Sequence, residues 1–520
     1  MPVARTHSIA LVGVEGYPVE IETDIANGLP CLFLVGLPDT ALREARDRIR
    51  AAIVNSREQW PQRRITVGLS PASLPKRGSG FDLGIALSIL AAAGTIPWAA
   101  IDGVAFLGEL GLDGRLRPVR GVLPAMAAAA GAGFVKVAVA QANAAEAALV
   151  PGLQVVGAPT LAVLLAWLRG ERGGRADQVA CLASGDAQGP SPPARQPREP
   201  HARDLSEVLG QPAARRAAEI CAAGGHHLSL FGPPGAGKTM LAERLPTVMP
   251  LLDRAAALEV TSIHSVAGTL PTGSPLMTEP PFCAPHHTAT KAAIVGGGSG
   301  ILHPGAASLA HRGCLFLDEA PEFARDVLDA LRQPLESGEV VVARSGLTAR
   351  FPARFTLVRA ANPCPCAKGA AVGAACSCTP ATKRRYLARL SGPLLDRVDV
   401  KVELLPVSRV ELLSDRHFAE SSPVVAARVA AARERAAARL KDTPWRLNAE
   451  IPGSELRRAF PPSSGSLVPL ERAMDLGQIS ARGVDRVIRV AWTLADIAGI
   501  ARPTVSETSY ALALWLGAGA

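Results

Sequence analysis

The sequence predicts an α/β chain: a parallel sheet carrying a helical lid, preceded by a second α/β unit. Three observations carry this. Across residues 204–405, short apolar runs of strand length alternate with helical stretches, the pattern of a parallel sheet flanked by helices. From 406 to 520 only helical patterns remain. Residues 1–168 alternate apolar strands and Ala-rich helices on their own account. At 520 residues the chain exceeds one core, and a prior of about 150 residues per domain gives roughly three units. Hydrophobic content of 48% with 19% charged residues excludes wholesale disorder, and a net charge of +9 permits a polyanionic partner without requiring one.

Within 1–168, CLFLVGLP (31–38) and RITVGLS (64–70) read as buried strands, and ALREARDRIRAAIVNS (41–56) as an amphipathic helix. The most apolar stretch, residues 84–101, is broken by Gly94, Thr95 and Pro97 and falls short of the about 20 residues that span a bilayer. The N-terminal apolar run turns acidic too soon for a secretory leader. The expectation is a soluble, cytoplasmic protein with no membrane partner. Residues 169–203 are rich in Gly, Pro, Ser and Arg without apolar period and read as a flexible linker. The next unit runs through AARRAAEICAA (helix), HLSLFG (strand), KTMLAERLPTVM (helix), then the strands CLFLDE and FTLVRAAN. SGEVVVARSGLTARF (337–351) reads as a β-hairpin. VVAARVAAARERAAARLK and GVDRVIRVAWTLADIAG are helices of the 406–520 lid.

HLSLFGPPGAGKTML (227–241) is a strand, a Gly/Pro loop and a helix, and it matches G-x-x-x-x-G-K-T in that context. Gly232, Pro233, Pro234, Gly235, Ala236 and Gly237 would wrap the phosphates of ATP with backbone N–H groups, and the helix beginning at Lys238, Thr239 and Met240 adds partial positive charge. Lys238 reaches the β- and γ-phosphates, and Thr239 can ligate Mg²⁺. In CLFLDEA (314–320) a buried strand ends in two carboxylates. Asp318 is a Mg²⁺ ligand, direct or through water, and Glu319 polarises the attacking water. Asn362, at the end of another apolar strand, could hold that water; a turn-forming Asn before Pro is the other reading.

GPPGAGKT, HPGAASLAHRGCLFLDEAPEF, RAANPCPC and LSGPLLDRVDV together resemble an AAA+ ATPase, and PHHTATKAAIVGGG is close to the signature of its magnesium-chelatase-like group. The likeness extends over nearly the whole chain and is closest to the YifB/ComM family. It implies an AAA+ P-loop parallel sheet with helical lid, preceded by a Lon-protease-like α/β domain. It also implies that Asn362 is the sensor-1 residue, that Arg397 is an arginine finger completing a neighbour's site, and that Arg482 is the sensor-2 arginine, with Arg486 and Arg489 as nearby alternatives. Charge developing on a γ-phosphate needs a fixed cation, and one donated in trans can raise turnover by about 10³-fold or more.

PHHTATKAAIVGGGSG (285–300) lacks a third ligand for a metal and a helix directly after its glycines for a second phosphate cradle. A mobile insertion fits best; the resemblance puts it near the pore of a ring, where Lys291 could touch a phosphate backbone, as could Arg344 and Arg350 on the 337–351 hairpin. Cys364, Cys366, Cys376 and Cys378 form C-x-C, nine residues, C-x-C. Four thiolates this close can converge on structural Zn²⁺; free thiols or redox pairs are the other reading. PKRGSGFDLGIALSIL (75–90) and residues 108–129 look like the Lon-type fold, but the nucleophile position falls on Gly80 and the Lys position near Leu123. Ser79 and Lys76 are wrongly spaced for the dyad, so peptidase activity is not expected and a docking or oligomerising layer is. Contact of Lys76, Arg77 and Arg115 with DNA is one reading, and solvated loops are the other. Arg428, Arg435 and Arg439 fall near one helical face that could neutralise phosphates.

The resemblance implies a homo-hexameric ring motor driven by ATP that acts on branched or single-stranded DNA, as a branch-migration helicase in recombination and natural transformation. The alternative is a chelatase-like motor that remodels a protein partner. A protease is third, and Gly80 stands against it.

Overall fold

The computed structural model describes residues 3–36, 39–76, 78–171, 173–183, 203–271, 275–298, 302–344, 347–366, 376–390 and 392–517. The N-terminal unit is built on one eight-stranded mixed sheet. Its order is Ala180–Ala183, Gln154–Ala158, Lys136–Ala140, Val104–Leu107, Ala4–Val12, Glu15–Ala26, Arg64–Ser70, Cys31–Val35. The helix Asp82–Ala92 is buried along its length against this sheet. The most apolar stretch, 84–101, therefore holds most of this 11-residue core helix, a turn and the short helix Trp98–Ile101. No helix among the described residues is long and apolar enough to cross a membrane. Gly84 lets that helix close on the sheet: a Cβ there would lie 2.8 Å from Ile21 Cδ1.

Two expectations are corrected here. Cys31–Val35 forms the edge of the sheet, with Phe33 48% and Val35 58% exposed, so this apolar run is not a buried strand. Residues 169–183 are not linker throughout, since Ala180–Ala183 pairs antiparallel with Gln154–Ala158 and extends the sheet. Of the expected linker, Arg172 and 184–202 lie outside the described residues, as does Arg77.

The second unit holds a five-stranded, wholly parallel sheet ordered Phe282–Cys283, Cys314–Leu317, Thr356–Ala361, Leu228–Phe231, Val400–Glu403. Cys314–Leu317 and Thr356–Ala361 are buried at every position, as expected for strands covered on both faces. The hairpin of Glu339–Arg344 and Leu347–Pro352 forms as its alternation predicts. After Glu403 the described residues form helices only, the longest being Ser422–Arg439 and Ala481–Ala498. One apolar cluster runs from Leu228 and Leu230 of the sheet to Val429, Val487, Trp492 and Leu514 of the lid, so sheet and lid share a core.

The N-terminal unit is docked on this body through the helix Arg254–Ala267. Glu146 accepts from the Leu123 amide (2.9 Å) and from the Ser265 hydroxyl, Gly121 N–H bonds Ser265 O (3.1 Å), and Arg254 bonds Leu149 O (3.0 Å). Burial raises the pKa of Glu146 against these donors.

Candidate functional site

The phosphate loop leaves the C-terminal end of Leu228–Phe231. Gly232 must be glycine, since a Cβ would lie 2.3 Å from Leu404 O; Gly235 and Gly237 take positive φ of 80° and 91° that turn the chain into the helix Lys238–Val248. Gln211, which the sequence reading missed, braces the loop with bonds to Leu405 O (2.7 Å) and Ala236 O (3.4 Å). Lys238 is buried; its ammonium donates to Gly232 O (2.7 Å), Pro233 O (2.8 Å) and Asn362 Oδ1 (2.9 Å). Burial lowers its pKa, and the carboxylates of Asp318 and Glu319 act against that shift. The next residue, Thr239, donates to Asp318 Oδ2 at 2.9 Å. A hydroxyl and a carboxylate oxygen in contact are a hard donor set that suits Mg²⁺. Met240 stands 41% exposed on the first turn.

Asp318 and Glu319 follow directly on Cys314–Leu317, at the end of the parallel sheet where such folds take their ligands. Glu319 is one of three non-glycine residues with positive φ among the described residues (49°), and its N–H is fixed on Asp318 Oδ1 at 2.9 Å. That backbone costs about 1–3 kcal/mol, a strain that concentrates at functional sites. Its carboxylate faces His287: Nδ1 lies 3.5 Å from Oε2. Among the described residues the histidines belong to no group that could hold a metal; the His286 and His287 rings lie tilted with centroids 4.1 Å apart, and His287 reaches the Glu319 carboxylate. The following glycines serve a close backbone approach. Gly296 (φ 96°) could not carry a Cβ, which would lie 2.6 Å from His303 O, and Gly297 pairs with His303. The helix Lys291–Val295 between them is capped by Thr290, and Lys291 is exposed at its start. Ser299 and Gly300 lie outside the described residues.

Arg397 and Arg482 do not join this cluster. Leu228 is in register with Val400 in parallel strands, so Arg397, before Val400, lies at the opposite end of the sheet from the phosphate loop. Arg397, Arg482, Arg486 and Arg489 line one cavity of 890 Å³ that no phosphate-loop residue reaches. Arg397 pairs with Glu336; Arg486 bonds Asp399 Oδ1 (2.6 Å) and Arg397 O (2.9 Å); Arg489 bonds Ile451 O (2.7 Å). Arg482 is exposed, with no hydrogen bond or ion pair among the described residues.

The Cys cluster begins two residues after Asn362. Sγ separations are 3.1 Å (Cys364–Cys366), 3.4 Å (Cys364–Cys376) and 3.6 Å (Cys366–Cys376), and all four sulfurs lie within 4.8 Å of one another. Tetrahedral thiolates on Zn²⁺ stand about 3.8 Å apart. Burial and the neighbouring thiols push Cys364 up to about 12. Residues 367–375 of the intervening loop lie outside the described residues.

Elsewhere the surroundings are structural. Ser79 is bonded to Glu109, while the buried Lys76 ammonium is held by Pro71 O and Leu74 O. Each of the two has its own partner. Arg115 pairs with Asp113 at 3.2 Å. The Arg428, Arg435, Arg439 stripe is corrected: Arg428 bonds Glu219 and Glu420, Arg435 bonds Asp496 O, and Arg439 bonds Asp496 and Asn448. Those guanidiniums knit the lid together and tie it to the helix Pro212–Gly224. On the hairpin, Arg350 is exposed and pairs with Glu339 (3.2 Å); the Arg344 side chain lies outside the described residues.

Three family models match the chain: Magnesium chelatase, subunit ChlI, over residues 204–412; Subunit ChlI of Mg-chelatase over 21–143; and Magnesium chelatase, subunit ChlI C-terminal, over 419–514. An uncharacterized protein of Mycobacterium tuberculosis is 51% identical over 512 residues, 98% of both chains. The protein YifB of Escherichia coli is 41% identical over 498 residues, covering 96% of this chain and 94% of that one. The competence protein ComM of Haemophilus influenzae is 40% identical over 513 residues, 98% of this chain and 97% of the other.

Proposed function

The chain belongs to the YifB/ComM type of the magnesium-chelatase-like family, and on that premise we propose that it is a ring-forming ATPase that moves DNA. The finer reading is branch migration during recombination of incoming DNA, in a homo-hexamer. The observation that carries the ATPase is the convergence of Lys238, Thr239, Asp318, Glu319 and Asn362 at one end of the sheet. The observation that carries the assembly is the position of Arg397 and Arg482 at the other end. A strand of four residues spans about 13 Å, so neither arginine meets the phosphates held by its own loop. A second copy, presenting that end, supplies them.

In this reading the backbone of 232–237 and the Lys238 ammonium grip the β- and γ-phosphates. Thr239 and Asp318 would hold Mg²⁺, which neutralises charge on the phosphates when bound. Glu319 accepts a proton from the attacking water, Asn362 orients that water, and the neighbour's Arg397 meets the charge that develops. Cys364, Cys366, Cys376 and Cys378 would hold Zn²⁺ as a staple, with the chemistry of the four sulfurs as the fit. DNA binding draws support from the net charge of +9, from exposed Lys291 and Arg350, and from Lys383, Arg384 and Arg385 on the helix Pro380–Leu387 beside that staple.

The match to chelatase models supports a second reading, a motor that remodels a protein partner. ATP hydrolysis measured with and without a four-way DNA junction separates the two. Several-fold stimulation by the junction is expected; indifference to DNA would overturn the leading reading.

A further inference from the structure

We infer that Asp399 and Arg486 form a clamp that locks the Arg397 turn to the lid helix carrying Arg482, so that both arginines reach a neighbour's phosphates as one rigid unit. The inference rests on the reading of Arg397 as a donated cation and adds the residues that aim it.

The geometry is specific. Arg486 lies four residues after Arg482 on Ala481–Ala498, one helical turn along the same face. One guanidinium nitrogen of Arg486, Nη1, donates to Asp399 Oδ1 at 2.6 Å and to the backbone carbonyl of Arg397 at 2.9 Å. The lid helix thereby holds the main chain of the finger residue, whose side chain pairs with Glu336 within its own chain. Asp399 is 3% exposed, and its other oxygen accepts the His227 N–H at 3.1 Å, just before the strand Leu228–Phe231. A second tie lies two helical turns on. His226 Nε2 is 2.7 Å from Thr493 Oγ1, and Thr493 also accepts from Asn448 at 3.0 Å. The lid helix is therefore fixed to the N-terminal end of the sheet at two points seven residues apart, through residues that precede the strands Leu228–Phe231 and Val400–Glu403. The shared apolar core holds the helix against the sheet, and the two polar ties fix its angle there. Arg486 is thus a positioning residue, and Arg482, without such partners, is the arginine left free to meet a phosphate.

A misplacement of about 1 Å can cost 10²-fold in rate, so loss of the clamp should cost hydrolysis and not nucleotide binding. The test replaces both charges together, D399N/R486M, because removing one alone leaves the other buried and unpaired. The double variant should melt within a few degrees of wild type and bind a fluorescent ATP analogue with wild-type affinity, yet hydrolyse ATP about 10²-fold more slowly. R486K, which keeps a cation at Asp399, should lose less. The decisive arm co-assembles D399N/R486M with Lys238→Ala copies. The latter bind no ATP but present intact arginines, so the mixture should regain hydrolysis that neither shows alone. Wild-type turnover by D399N/R486M alongside inactive Arg397→Ala, or no recovery on mixing, overturns the clamp. Normal turnover by Arg397→Ala would instead overturn the donated-cation reading on which the clamp rests.

Discussion

The Lys238 ammonium donates to Asn362 Oδ1 at 2.9 Å, and with the Gly232 N–H on Ala361 O (3.2 Å) this bond ties the phosphate loop to the end of the neighbouring strand Thr356–Ala361. The bond puts an amide within reach of whatever Lys238 holds. Lys238→Ala should abolish nucleotide binding in a fluorescence titration. Asn362→Ala should bind with little change and lose hydrolysis by about 10- to 100-fold, since it removes one dipole aimed at the reacting group. Phosphate release measured beside the titration checks both. Equal loss of binding in the two variants would make Asn362 a brace of the loop rather than a group in the reaction.

Glu319 and His287 predict a different signature. Asn places an amide nitrogen where His carries Nδ1, so His287→Asn should keep most of the contact with Glu319 Oε2, and His287→Ala should remove it. The expected result is a kcat about tenfold lower for the alanine variant, an unchanged KM for ATP, and near-normal turnover for the asparagine variant. In a Glu319→Gln background, His287→Ala should add nothing further. An additive loss would show that His287 acts elsewhere.

What was legible in the sequence was what is local along the chain. The phosphate loop needs eight consecutive residues, and the paired carboxylates need only the strand before them, so both were visible as text. The contact of His287 with Glu319 joins residues on separate connections and has no local signature; the histidines drew notice without revealing their target. The same applies to Asp399, which reads as an ordinary acid two residues past Arg397 until strand register brings the lid helix onto it. Composition misled at Cys31–Val35 because an unbroken apolar run looks alike in a central and an edge strand. The Arg428–Arg439 stripe was misread because helical spacing gives a face but not what that face meets.

The Cys cluster predicts its own metal content. Four sulfurs within 4.8 Å fit one Zn²⁺, so protein purified without chelator should carry about one zinc per chain, and its four thiols should resist alkylation until the metal is stripped. Cys366→Ser, which removes a central sulfur, should lose the zinc. Co²⁺ substitution should give the intense visible bands of tetrahedral thiolate ligation. Rapid alkylation of all four in metal-replete buffer would identify them as free thiols.

Acid should weaken the N-terminal end of the parallel sheet through His227. Its Nδ1 accepts the Leu357 N–H at 3.0 Å, a bond that exists only while that nitrogen is unprotonated. Burial, foremost, holds the pKa down to about 4 from its ordinary 6.5, with Asp399 pulling the other way. A base with a lowered native pKa gives stability that is complete above 6.5 and lost as pH falls from there toward 4. The slope is at most about 1.4 kcal/mol per pH unit. His264 and His311, also lowered by burial, add the same sign. Asp82, raised to about 6 by burial, has the opposite sign, because its native state favours the proton. Total stability therefore mixes both, and the diagnostic quantity is a difference. His227→Asn keeps an acceptor at the Nδ1 position and cannot titrate. Melting temperatures of wild type and variant should converge as pH falls from 7.5 to 5, with wild type losing more. A constant gap between them across that range would mean that His227 does not gain its proton on unfolding.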